Sequence, residues 1–73
     1  SNQEEYTISS TKISLNNATL EELMTLKGIG ESKAKAIIAY RDTVGVFKSI
    51  EELKNVDGIG DTLFEQIKEN ITT

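Results

Sequence analysis

The sequence predicts an all-α domain of four main helices and a short connector, and three observations predict it. The tripeptide Gly-Ile-Gly stands at Gly28-Ile29-Gly30 and again at Gly58-Ile59-Gly60, 30 residues later. A hydroxyl residue followed three positions on by Glu, the signature of a helix start, stands at Thr19 and Glu22 and again at Ser49 and Glu52, with the same offset. Proline is missing from all 73 residues, so nothing in the chain forbids helix for want of a backbone N–H.

Residues 1–12 are polar, rich in Ser, Thr and Glu, and lack helical periodicity, so they read as a flexible tail or linker ahead of a domain over 13–73. Ile13 and Leu15 are the first side chains expected to pack. The first helix starts at Thr19, and Leu20, Leu23, Met24 and Leu26 recur at the spacing of one buried face. Gly28 closes it, because glycine adopts the left-handed conformation that ends a helix. Ile29, a β-branched apolar residue inside a turn, is expected to plug inward, and Gly30 stands where the next helix begins.

The second helix is expected over Glu31–Thr43, with Ala34, Ile37, Ile38 and the stem of Arg41 inward, and Gly45 breaks it. Tyr40 is expected to cover the edge of the core, and Val46 and Phe47 form an apolar connector. The pattern then repeats. Ser49 starts a short helix carrying Ile50, Leu53 and Val56, Gly58 closes it, and Ile59 plugs inward. A last helix over Asp61–Ile71 turns Leu63, Phe64, Ile67 and Ile71 inward. Neither helix pair buries its faces alone, so the two are expected to pack about a pseudo-twofold axis.

Composition narrows the function. A chain this small buries only about 60% of its unfolded surface, so its core is thin. There is no Cys and no His, which removes disulfides, the usual soft metal ligands and the commonest general base. Pairs such as Glu21-Glu22 and Glu51-Glu52 suit helix starts and the helix dipole better than a catalytic or metal site. No catalytic residue, metal site, cofactor or small-molecule substrate is therefore expected, and the chain is not expected to be an enzyme. No apolar run approaches the length of a membrane span.

Net charge is −4, an unpromising total for a nucleic-acid binder, but its placement is lopsided. Residues 24–48 carry Lys27, Lys33, Lys35, Arg41 and Lys48 against Glu31 and Asp42, a local +3. Residues 49–73 carry Lys54 and Lys68 against Glu51, Glu52, Asp57, Asp61, Glu65 and Glu69, a local −4.

The glycine turns carry the functional reading. The first N–H groups of a helix have no partner within it, and the helix dipole adds partial positive charge there. Glycine leaves those groups open to a phosphate oxygen. At the first turn the donors are expected from Gly30, Ser32 and Lys33, with Gly28 opening the approach and Lys27, Lys33 and Lys35 supplying ammonium groups. At the second turn the equivalents are Gly58, Gly60, Thr62 and Leu63. Two such sites suit the phosphates of two strands, and contacts of this kind read no base edge. Asp57 and Asp61 bracket the second turn and oppose a phosphate there, at a cost of about 1 kcal/mol each at low salt. The first turn is accordingly expected to carry most of any affinity.

These residues resemble the helix-hairpin-helix family in its doubled, tandem form. The pattern Leu-x-x-Leu-x-Gly-Ile-Gly-x-x-x-Ala-x-x-Ile fits residues 23–37 at every position; the copy at 53–67 has Val56 for the second Leu and Phe64 for Ala. The lead-in Leu15-Asn16-Asn17-Ala18-Thr19 and the connector Gly45-Val46-Phe47-Lys48-Ser49-Ile50 are similar to those of the ComEA-type competence receptors, over residues 13–72. That resemblance implies non-sequence-specific binding of double-stranded DNA during natural transformation and contact with other DNA-uptake proteins. It also implies a parent receptor anchored at the extracytoplasmic face of a bacterial membrane, with an anchor upstream of this soluble segment. Carried over residue by residue, the DNA-binding set is Lys27, Gly28, Ile29, Gly30, Ser32, Lys33, Lys35, Gly58, Ile59, Gly60 and Thr62. The resemblance leaves two alternatives open: a protein-interaction or scaffold module on the same fold, or the DNA-docking piece of a repair enzyme.

Overall fold

A computed structural model describes residues 12–73, so the expected tail lies outside the described residues except for Lys12. The order of elements is β1 (Ile13–Ser14), α1 (Leu20–Leu23), α2 (Glu31–Thr43), a 3₁₀ segment (Ile50–Asn55), α3 (Asp61–Ile67), a second 3₁₀ segment (Lys68–Asn70) and β2 (Ile71–Thr72). The fold is all-α apart from one parallel strand pair, in which Ile13 registers with Ile71 and Ser14 with Thr72.

Helix α1 is short because its start is well made and its end is not. The Thr19 hydroxyl accepts from Glu22 N (3.1 Å) while the Glu22 carboxylate accepts from Thr19 N (2.9 Å), a complete capping box. After Leu23 the chain tightens into successive turns, with Thr25 N donating to Glu22 O and Leu26 N to Leu23 O. Helix α2 has the expected bounds, and Gly45, at φ +128°, follows its last turn.

The second half repeats this plan with three departures from the sequence reading. Its first helix is 3₁₀ rather than α. Ser49 makes no side-chain cap: Glu52 N donates to the Ser49 carbonyl instead (3.2 Å), and the Glu52 carboxylate accepts from Lys48 N, one residue before the expected start. The last helix stops at Ile67, not Ile71, since Ile71 is drawn into the strand pair, where Leu15 N also donates to Thr72 O (2.8 Å). The far end of the domain is thereby tied to its beginning.

One core joins both halves: Leu15, Ala18, Leu23, Leu26, Ile29, Ala34 and Ile37 from the first, and Phe47, Leu53, Val56, Ile59, Phe64, Ile67 and Ile71 from the second. Each fully buried Leu, Ile or Phe contributes roughly 1.5–3 kcal/mol. Leu20, Ile38, Ile50 and Leu63 lie half-buried against it, whereas Met24, expected inward, is 41% exposed because the chain leaves helical register just after Leu23. Tyr40 covers the core edge as expected, stacked on Phe47 with ring centroids 4.9 Å apart.

Polar clamps hold the connector. The Asn16 side-chain amide donates to Phe47 O (3.0 Å) and accepts from Phe47 N (2.7 Å), imitating a strand partner. The Arg41 guanidinium donates to Leu15 O (2.8 Å). Both contacts join residues more than twenty positions apart in sequence.

Candidate nucleic-acid interface

Each glycine turn is closed by one backbone hydrogen bond, Ile29 N to Leu26 O (3.0 Å) and Ile59 N to Val56 O (3.1 Å). Gly28 and Gly58, at the third position of each turn, have φ +81° and +92°. That is the positive φ a type II turn requires and side chains resist. Ile29 and Ile59 are 3% and 4% exposed, so each plugs its turn into the core as the sequence suggests. Their contribution to a surface site is confined to the main chain.

Past each plug the chain runs extended through Gly30 (φ −92°, ψ −169°) and Gly60 (φ −104°, ψ −170°), the N-caps of α2 and α3. Neither helix start receives a side-chain cap, in contrast to Thr19 at α1. The carbonyls of Gly30 and Gly60 accept from Ala34 N (2.9 Å) and Phe64 N (3.0 Å), which fixes the first turn of each helix. The first-turn N–H groups, which have no intrahelical acceptor, are then left for an outside one. Among the described residues, chain neighbours aside, nothing lies within 4 Å of where a side chain on Gly30 or Gly60 would begin. Ser32 and Thr62, in those first turns, are exposed. Glu31 and Asp61 occupy the first helical positions, so their amides stand beside those of Gly30, Ser32 and Lys33 expected as donors from sequence.

The two turns meet. A side chain on Gly28 would begin 2.7 Å from Leu63 Cδ1, and one on Gly58 would begin 3.6 Å from Lys33 Cγ and Cε. These contacts are equivalent under the 30-residue offset, since residue 33 plus the offset is residue 63. Gly28, Lys33, Gly58, Gly60, Asp61, Thr62, Leu63 and Gln66 line one open concavity of about 440 Å³. Gln66, which the sequence reading missed, faces Gly28, its Oε1 3.8 Å from the position of a Gly28 Cβ.

This geometry redistributes the charges. Lys33, assigned from sequence to the first turn, lays its aliphatic stem across the glycine of the second. Lys54 approaches Asp61 (Nζ to Oδ1 3.5 Å) and lies over the Phe64 ring at 5.1 Å. Lys54 thus meets one side of the acidic bracket, at Asp61, while among the described residues Asp57 has no ion-pair partner. Lys35 pairs with Glu31 one turn earlier (3.0 Å), and Lys27 is exposed. Lys68 lies on the acidic side of the domain. Its hydrogen bond to Glu65 and the charges of Glu65, Glu69 and Glu51 hold its ammonium above the usual lysine range. Among the described residues no group of three or more Asp or Glu is placed to hold a metal ion, and no helix is long and apolar enough to cross a membrane.

Short helices joined through a plugged glycine turn to an uncapped helix start define the class of protein. The family model for the helix-hairpin-helix motif matches residues 8–72, and the chain belongs to that family. It is 53% identical over 60 residues to ComE operon protein 1 of Bacillus subtilis (strain 168), covering 82% of this chain and 29% of that protein. It is 43% identical over 61 residues to the human endonuclease/exonuclease/phosphatase family domain-containing protein 1, covering 84% of this chain and 11% of that one. The chain therefore spans less than a third of either relative.

Proposed function

We propose that this domain binds double-stranded DNA through its phosphate backbone without reading sequence, as the DNA-binding part of an uptake receptor in natural transformation. The observation that carries the reading is the pair of helix starts that lack a side-chain cap, each opened by a glycine and offset by 30 residues, beside a first helix that is fully capped. Uncapped N–H groups and the positive end of the helix dipole suit an anion, and duplex DNA offers anions at regular spacing on two strands.

On this reading the two turns are a tandem of one motif, and the packing of Gly28 on Leu63 and of Gly58 on Lys33 supports their pairing. The amides after Gly30 and Gly60 make the phosphate contacts, with the hydroxyls of Ser32 and Thr62 beside them. Lys33 stands between the turns and serves both. Lys27 and Lys35 add attraction at the rim, Lys35 less because Glu31 already holds it. The domain acts as a binding module and not as an enzyme. The identity to ComE operon protein 1 supports the competence setting, with the parent protein at the extracytoplasmic face of a bacterial membrane and other uptake proteins as partners.

A second reading, the DNA-docking part of a larger enzyme, is favoured by the 43% identity to the endonuclease/exonuclease/phosphatase family protein. The full-length sequence separates the two: an upstream membrane anchor supports the receptor, and an adjoining catalytic domain supports the enzyme. Binding itself is tested by fluorescence anisotropy with a random-sequence duplex at low salt. The expected dissociation constant is of the order of 10⁻⁴ to 10⁻⁶ M near physiological salt and tighter below it. No binding at low salt would overturn the DNA reading and leave a protein-interaction module.

A further inference from the structure

We propose that the Asp57–Gly58 peptide is a site of spontaneous covalent modification, at which the Gly58 main-chain nitrogen closes on the Asp57 carboxyl group to give a cyclic imide that reopens to isoaspartate. The chain has three aspartates, and only Asp57 is followed by glycine. Asp42 precedes the β-branched Thr43 within α2, and Asp61 precedes the β-branched Thr62 and is engaged by Lys54. Asp57 is exposed, and among the described residues no hydrogen bond or ion pair restrains its carboxylate. The turn is closed by Ile59 N on Val56 O, and the Gly58 N–H donates to no backbone carbonyl among the described residues. Neither reacting group is held by another partner, and ring closure requires the Asp57–Gly58 peptide to rotate out of the type II turn, which brings the Gly58 nitrogen round to the carboxyl group. Gly58 brings no side chain to obstruct the approach, and among the described residues, chain neighbours aside, the only atoms within 4 Å of its Cβ position are the Lys33 carbons.

The bond formed joins Gly58 N to Asp57 Cγ. One carboxyl oxygen leaves as water, taking the amide proton and a second proton from the acid. Water then adds to one of the two imide carbonyls. Opening at Cγ restores aspartate; opening at the main-chain carbonyl carbon leaves the chain running through Cγ, which is isoaspartate. One water is lost and one is gained, with no redox change. The product carries an extra methylene between Val56 and Ile59, so the 3.1 Å bond that closes the turn is lost and the buried Ile59 plug is displaced.

The test is to age the folded protein at neutral pH in heavy-oxygen water, digest it, and follow label uptake and methyl acceptance by an isoaspartate methyltransferase. Both signals are expected to accumulate in the peptide holding residue 57, ahead of those holding Asp42 and Asp61. In Asp57→Glu, which would need a larger ring, the signal at 57 is expected to be lost. Label at 57 no greater than at Asp42 and Asp61, or equal accumulation in Asp57→Glu, would overturn the proposal.

Discussion

Lys33 lies across the glycine of the opposite turn, with Cγ and Cε each 3.6 Å from the point where a Gly58 side chain would begin. Its stem is packing, and among the described residues its ammonium enters no ion pair, so the two roles are separable. Lys33→Met keeps the stem and removes the charge. Stability is expected to change by no more than about 0.5 kcal/mol. Affinity for duplex DNA is expected to fall, and the slope of log affinity against log salt to flatten by about 1. Lys35→Met is expected to do less, because Glu31 already compensates that charge. Parallel salt titrations and thermal melts of the two variants check the ranking.

Gly28→Ala is expected to destabilise the fold. The left-handed backbone at φ +81° costs a side chain roughly 1–2 kcal/mol, and the new methyl must displace Leu63 Cδ1 from 2.7 Å. Denaturant unfolding gives the value, and a midpoint equal to that of the parent would show that the turn tolerates the change.

The two helix starts that share a sequence signature are expected to respond differently to alanine. Thr19→Ala removes an observed capping box and is expected to cost about 1 kcal/mol. Ser49→Ala removes a hydroxyl that caps nothing and is expected to stay within about 0.5 kcal/mol. Equal losses in a chemical melt would mean that Ser49 caps its segment after all.

Asn16→Ala is expected to cost roughly 1–3 kcal/mol, because it strips both polar partners from the Phe47 main chain at a half-buried site. Hydrogen exchange at the Phe47 amide should accelerate with it. Unchanged protection there would count against the clamp.

Much of this was legible in the sequence because the signals are local. Helix α2, its glycine start, the Ile29 and Ile59 plugs and the Thr19 cap each follow from residues within a few positions of one another. What was not legible depends on residues distant in sequence. Ile71 leaves the last helix because Ile13 pairs with it. Arg41, expected from sequence only to turn its stem inward, donates to Leu15 O across the domain. Lys33 belongs to the first turn by position and packs on the second by the way the two halves face each other. Ser49 fails as a cap for a more local reason, since Glu52 N donates to the Ser49 carbonyl and Lys48 N takes the Glu52 carboxylate that the motif reserves for Ser49.

In the proposed binding mode, open amides at two uncapped helix starts hold DNA phosphates. Gly30→Ser with Gly60→Ser tests it most directly, because the backbone at both sites is extended and nothing lies within 4 Å of the added Cβ. Serine at an N-cap turns its hydroxyl onto the same N–H groups, so it is expected to stabilise each helix by a few tenths of a kcal/mol while competing with phosphate. Hydrogen bonds to charged groups contribute roughly 1.5–3 kcal/mol, so duplex affinity measured by anisotropy is expected to fall about tenfold or more. A double variant that melts no lower than the parent and binds duplex DNA at least tenfold more weakly is the expected result; one that folds equally well and binds with the parent's affinity would contradict the account.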